Sequence, residues 1–202
     1  MLKKILIGFA ALILIFLVVV MAQPATYHVD RAVMINAPAE VVWAETSDFN
    51  QWSGWSPWAK SDPTQKETVA GEPGTVGHTM SWEGEKTGKG TMTLREVDKP
   101  TRVAIDILFY TPVESRADTA FEIIAKEDTV EVTWSVDGEN GFVGKFFDLL
   151  MGIEDMIGES YDQGLADLKA VSEEKAKKQA EAMAAAAPAA EPATDEPAAA
   201  AK

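Results

Sequence analysis

Hydrophobic and polar positions change their spacing along the chain, and each change marks an element. Residues 5–22 form an uncharged run of 18, nearly all Ile, Leu, Val, Phe or Ala. At ~1.5 Å rise per residue such a run approaches the ~30 Å thickness of a hydrocarbon layer, which predicts a membrane-spanning helix. Over 27–35 the pattern becomes alternation. Val29, Val33 and Ile35 share one face of a strand, with Arg31 among them as an irregularity. Asn36-Ala37-Pro38 ends that strand, and Pro38 with Glu40 suits the first turn of a short helix over 39–46, with Val42 and Trp43 inward. A second short helical turn is expected over 48–52. The loop Trp52-Ser53-Gly54-Trp55-Ser56-Pro57-Trp58 follows, and its Gly and Pro predict irregular structure.

Beyond the loop, alternation returns in separate runs: Met80 and Trp82; Met92 and Leu94; Val103, Ile105, Ile107 and Phe109; Phe121 and Ile123; Val130, Val132, Trp134 and Val136. Turn-forming segments such as Glu83-Gly84-Glu85, Asp98-Lys99-Pro100 and Asp137-Gly138-Glu139-Asn140-Gly141 lie between them. Connections this short predict an antiparallel meander, because parallel strands need long crossovers. The period then shifts to three or four residues: Phe142, Phe146, Leu149, Ile153, Met156 or Ile157, Tyr161, Leu165 and Leu168, with charged residues between. That is one long amphipathic helix whose apolar stripe must bury against the sheet. Gly144, Gly152, Gly158 and Gly164 each cost about 1 kcal/mol relative to Ala in a helix interior. They either let the helix approach the sheet closely or leave space for a ligand. After Ser172 the chain is mostly Ala, Glu, Lys and Pro; 173–187 prolongs the helix at most, and disorder is expected from Pro188. The organisation is therefore an N-terminal anchor and linker (1–26), one folded domain (27–172) and a low-complexity tail (173–202).

Charge refines the first of these units. Lys3 and Lys4 precede the apolar run, so the positive-inside bias keeps the N-terminus cytoplasmic and sends the domain across, into the periplasm in a Gram-negative bacterium. The alternative is a cleaved signal peptide, with Val20-Met21-Ala22 as a loose cleavage site. The apolar run exceeds the ~7–15 residues of a signal h-region, which favours a retained anchor. Between 27 and 172 there are 12 basic and 26 acidic residues, a net charge of −14. Such a domain repels phosphate backbones and anionic headgroups, which argues against nucleic-acid partners and electrostatic membrane docking. The chain has no cysteine, which excludes disulfides, thiolate zinc sites and cysteine nucleophiles.

The segment Arg31-Ala-Val-Met-Ile-Asn-Ala-Pro-Ala-Glu-Val-Val-Trp43 resembles the opening of the START-like (SRPBCC) superfamily, where a strand runs into "I-x-A-P-x-E-x-V-W". Trp55-Ser-Pro-Trp58 with Asp62-Pro63, and Tyr161-Asp-Gln-Gly-Leu-Ala-Asp-Leu-Lys169, resemble its polyketide cyclase/dehydrase and lipid-transport branch. The resemblance covers about 27–172. It implies an α+β helix-grip fold, a curved antiparallel sheet around the long C-terminal helix with a cavity between them. That branch includes binders, transporters and enzymes, so the resemblance does not choose among them.

The candidate site follows from this arrangement. Trp52, Trp55 and Trp58 fit two roles, lining a pocket mouth or plugging the end of the sheet. Trp82, Leu94, Ile105, Phe121 and Trp134 should face inward from the sheet, opposite Phe147, Met151 and Met156 from the helix. These residues suit an apolar small molecule or lipid, and a solid core accounts for them equally. No residue set implies a cofactor or a catalytic apparatus. His28 and His78 are far apart, lack evident carboxylate partners and read as surface residues, which leaves a metal site unsupported. The expected function is membrane-tethered, non-catalytic binding of an apolar molecule. A cyclase or hydratase would instead need Tyr161, Glu83 or Arg116 turned into the cavity. A third reading is an interaction module that meets a protein partner through the tail and helix face.

Overall fold

Seven antiparallel strands form one sheet in the order β1-β7-β6-β5-β4-β3-β2, and the computed structural model describes residues 2–127 and 129–186. The apolar run is helix α1 (Leu2–Ala22), and β1 (Thr26–Ile35) follows. Short helices α2 (Ala39–Ser47) and α3 (Pro57–Ser61) flank a 3-10 turn at Trp52–Gly54. Strands β2 (Lys66–Ala70), β3 (Thr79–Gly84), β4 (Gly88–Asp98), β5 (Arg102–Thr111), β6 (Ser115–Ala125) and β7 (Val130–Glu139) make the meander. β1 closes against β7 over its whole length, from Thr26 opposite Glu139 to Ile35 opposite Val130. The chain ends in α4 (Phe142–Met151) and α5 (Ile153–Ala186). This is the helix-grip architecture that the alternating runs and the resemblance imply.

The sheet gives one face to α5, as its period-2 pattern requires. Met92, Leu94, Val103, Ile105, Phe121, Ile123, Val132 and Trp134 are buried from the strands. Tyr161, Leu165, Leu168 and Ser172 are buried from α5 at spacings of four, three and four, the repeat of one helix face. Gly164 lies where an added Cβ would stand 2.7 Å from the Trp134 ring and 3.1 Å from Pro57. At Gly158 the Arg31 guanidinium fills the equivalent space and continues to Asp162 at 3.3 Å. These two glycines therefore serve close approach. They also explain the irregular Arg31, which faces inward beneath α5 and runs out to an acidic partner.

Three elements differ from the sequence expectation. The single long helix is two, because Gly152 takes a left-handed conformation (φ 63°). Its N–H bonds the Asp148 carbonyl at 2.8 Å, and the Asp148 carboxylate accepts the Ile153 N–H at 3.1 Å. Gly152 thus ends α4, and the Asp148 side chain, from the last turn of α4, satisfies the first N–H of α5. The tryptophan loop is partly helical, with Pro57 opening α3 at a position where its missing N–H costs nothing. β2 has a single half-buried apolar residue, Val69, and so carries no alternation to read; its pairing with β3 defines it. The tail expected to be disordered from Pro188 lies outside the described residues.

Candidate functional site

Strand register arranges the inward side chains in rows. Leu94, Ile105, Thr119, Val136 and Val29 lie across one row, and Val103, Phe121, Trp134 and Arg31 across the next. Against them stand Trp52 and Trp55, delivered by the turn after α2. Both are fully buried, so they occupy the core and not a rim. Trp52 and Trp55 ring centroids are 4.8 Å apart, Trp55 and Trp134 5.6 Å, and Phe121 stacks on Trp134 at 4.8 Å. Tyr161 of α5 stacks on the other side of Trp134 at 3.9 Å, and half-buried Trp58 closes the edge 5.5 Å from Trp134. The centre of the grip is thus a plug of interlocked aromatic rings.

A short polar thread runs through the plug. The Trp134 indole N–H donates to Thr119 Oγ1 at 2.8 Å, and the Thr119 hydroxyl donates to the Ser135 carbonyl at 2.6 Å. With that proton committed, the Tyr161 hydroxyl 3.0 Å away is the donor to Thr119. Burial pushes the Tyr161 phenol well above its ordinary range, so it stays protonated. Glu83 is on the outer surface with Lys89, and Arg116 is exposed. Of the three groups an enzyme reading would turn inward, Tyr161 alone is inside, and its proton is held by Thr119.

Exposure rises toward one end of the same face. There Met80, Met92, Ile107, Ala117, Gly138 and Tyr27 form a row, with Trp82, Gly90 and Phe109 beside it. Ile107, Phe109 and Tyr27 are only half-buried. Trp82 lies over Gly90, meets Phe109 edge-on at 5.6 Å and donates its indole N–H to the Thr87 carbonyl at 3.2 Å. β7 leads into α4 and α1 leads into β1 at this end, where Asn140 N–H bonds the Ala25 carbonyl at 2.7 Å.

The expected site residues therefore separate. Trp52, Trp55, Leu94, Ile105, Phe121 and Trp134 come together in the buried plug, Trp58 at its edge, and Trp82 at the half-exposed end. Phe147 and Met156 do not face the sheet: they are 44% and 51% exposed. For Phe147 the cause is the break at Gly152, which takes α4 off the line of α5, so that α4 packs chiefly on α1 and α5. Met156 lies beyond the break on α5 itself, about 140° around the helix from buried Tyr161, and so points outward. Met151 is the last residue of α4, on the same side of that break as Phe147.

His78 departs from the surface reading, whereas His28 keeps it but gains a carboxylate partner. His78 is buried, stacked on Phe49 at 5.0 Å; its Nε2 accepts the Phe49 N–H at 3.1 Å, which places the proton on Nδ1, facing the Gly71 carbonyl. His28 is exposed but has a carboxylate partner, with Nδ1 2.7 Å from Asp137 Oδ1, and this hydrogen bond raises its pKa. Cross-strand register made that pair, which sequence separation concealed. Among the described residues no three His, Asp or Glu groups are placed to share a metal ion. A groove of about 360 Å³ on the outside is walled by Trp43, Glu45, Asp48, Gln51 and Lys175. Buried Glu45 accepts from Lys175 Nζ at 2.6 Å, and Lys175 also donates to Gln51 at 2.9 Å, so this groove is a polar clamp of α2 on α5.

Solved structures share this arrangement. Protein CV1439 from Chromobacterium violaceum superposes with a TM-score of 0.54 at 16% identity, over 75% of this chain and 99% of its own. Protein jhp0584 from Helicobacter pylori gives 0.56 at 13% identity over 72% and 88%. MLL2253 from Mesorhizobium loti gives 0.54 at 12% identity over 71% and 94%. At these identities the likeness is one of fold. No curated protein matches the chain. The sequence pattern of the polyketide cyclase/dehydrase and lipid transport family matches residues 26–173, strand β1 through the buried part of α5, and the chain belongs to that family, within the START-like (SRPBCC) superfamily.

Proposed function

We propose that the protein is a membrane-tethered, non-catalytic binder of an apolar small molecule or lipid, held at the half-exposed apolar end of the grip. One observation carries this reading: the half-buried apolar side chains Ile107, Phe109 and Tyr27 lie at the end of the sheet from which α1 departs. An apolar ligand leaving a bilayer would meet this end first. The aromatic plug forms its floor, and Ile157 of α5 is a further half-buried apolar neighbour of the core. Trp82 supplies a wide apolar wall, the kind of surface that dominates small-molecule sites. The residues proposed to touch ligand are Trp82, Ile107 and Phe109, with Trp52, Trp55, Leu94, Ile105, Phe121 and Trp134 supporting them. The family membership is consistent with such a ligand.

Native mass spectrometry of the full chain, extracted in mild detergent, tests this. The expected result is a stoichiometric apolar adduct that Ile107→Trp abolishes, because an indole there fills the proposed space. A chain that carries no adduct, or keeps the same adduct in Ile107→Trp, sinks the reading.

A further inference from the structure

We propose that α4 is an interfacial helix, lying in the outer boundary of the bilayer that α1 crosses, with its apolar arc among the acyl chains. The proposal rests on α1 being a retained span. At 100° per residue, Leu149, Phe142, Phe146, Leu150, Val143 and Phe147 occupy an arc of about 160°, and Lys145 and Asp148 take the opposite side. The sheet does not cover this arc: Phe142, Phe147 and Leu150 are 52%, 44% and 59% exposed. What does touch it is α1. Phe146, near the middle of the arc, meets Phe16 edge-on at 5.8 Å. Among the less exposed residues of α1, Ile13, Phe16, Leu17 and Val20 share one helical stripe, with Val19 beside it. The apolar face of α4 is thus continuous with the flank of a helix fit to cross a membrane.

Depth agrees with this placement. Phe16 precedes Ala22 by six residues, about 9 Å along the axis. Phe146 therefore stands about 9 Å inside the outer end of the apolar run, within the ~5–10 Å at which interfacial helices lie. Lys145, one residue earlier, reaches the Met21 carbonyl at 3.5 Å. Its ammonium sits at the water boundary, against the negative end of the α1 dipole. The occupant is a bilayer surface of neutral headgroups, because the acidic domain repels anionic ones.

The absence of cysteine allows single labels in the full chain. Phe147→Cys, Leu150→Cys, Leu12→Cys and Val76→Cys, each carrying an environment-sensitive fluorophore, are placed in phosphatidylcholine vesicles with brominated acyl chains. Phe147, Leu150 and Val76 are exposed, so the fold does not depend on them. Quenching by brominated lipid at 147 and 150 should reach at least half that at Leu12, while Val76 responds only to aqueous iodide. If Leu12 is lipid-quenched and 147 and 150 respond to iodide like Val76, the anchor stands and the interfacial helix is overturned. Labels at 147 and 150 shielded from both quenchers would mean a second copy or another protein covers α4, which also overturns it. A Leu12 label outside lipid removes anchor and interfacial helix together. None of these outcomes depends on the adduct that tests the binding reading.

Discussion

The carboxylate of Asp62 accepts five hydrogen bonds: from Thr64 N–H and hydroxyl, Lys86 N–H, and Thr87 N–H and hydroxyl. Gly84 leaves room for it, since a Cβ there would collide with Asp62 and Thr87. The Thr64 hydroxyl is the main cause that holds this carboxyl well below the usual carboxylate range, with the Lys86 and Thr87 amides adding to it against the effect of burial. In the unfolded chain the group titrates near pH ~3.9, so on acidification the unfolded state takes up its proton first. Its stabilisation is present above that pH and is lost as pH falls toward the depressed folded value. Asp62→Asn should lower the melting temperature at pH 7, and the gap to wild type should narrow below about pH 4. A gap that stays constant down to pH 2 would contradict this. Tyr161→Phe deletes the donor to Thr119 while keeping the stack on Trp134, and should cost about 0.5–1.5 kcal/mol in urea unfolding. Of these residues, Asp62 was visible in sequence only as part of the Asp62-Pro63 motif, because apart from nearby Thr64 its partners, Lys86 and Thr87, lie more than twenty residues downstream. Buried His78 was hidden for a related reason: its Nε2 accepts from the Phe49 amide, 29 residues upstream, while its Nδ1 faces the Gly71 carbonyl of its own loop, and no local pattern records the first of these.

At the scale of elements, period 2 and period 3.6 located the meander and the final helix because each has one face in the core. They could not place the break at Gly152, since a glycine inside an apolar repeat reads equally as a tolerated weakness or a terminus. Its left-handed φ decides for the terminus, and Gly152→Ala should destabilise the protein by about 1–2 kcal/mol. Gly164 acts by contact. An alanine methyl 2.7 Å from the Trp134 ring must displace a stacked aromatic, at a cost of about 1–3 kcal/mol. Helix propensity returns about 1 kcal/mol of that, so Gly164→Ala should be net destabilising in denaturant titration. A stabilised variant would mean that α5 has room to move outward from the sheet. The same break partly explains why the candidate site was half legible. Strand residues kept the inward phase that alternation assigns them, whereas Phe147 belongs to a helix that does not continue straight into α5, and Met156 falls on the outer phase of α5.

The whole molecule is polarised along one axis. Lys3 and Lys4 stand at one end of α1, while the domain beyond its other end carries a net charge of −14 between 27 and 172. Retention of basic residues on the cytoplasmic side is the stronger of the two signals, because acidic residues contribute little to orientation. The domain should therefore lie across the membrane from Lys3. A single cysteine replacing Val76, 66% exposed at a turn before β3, reports the position of the domain. One replacing Lys3 reports the N-terminus. In cells whose outer barrier has been made permeable, a membrane-impermeant maleimide should modify the cysteine at 76 without lysis and the cysteine at 3 only after it. The reverse order would put the domain in the cytoplasm and remove the topological basis of the proposal. Reaction at 76 in a freely soluble fraction, with an intact mass that starts at Gln23, would show that α1 is cleaved. This end of the grip would then face water, and the half-buried Ile107, Phe109 and Tyr27 would need a different explanation.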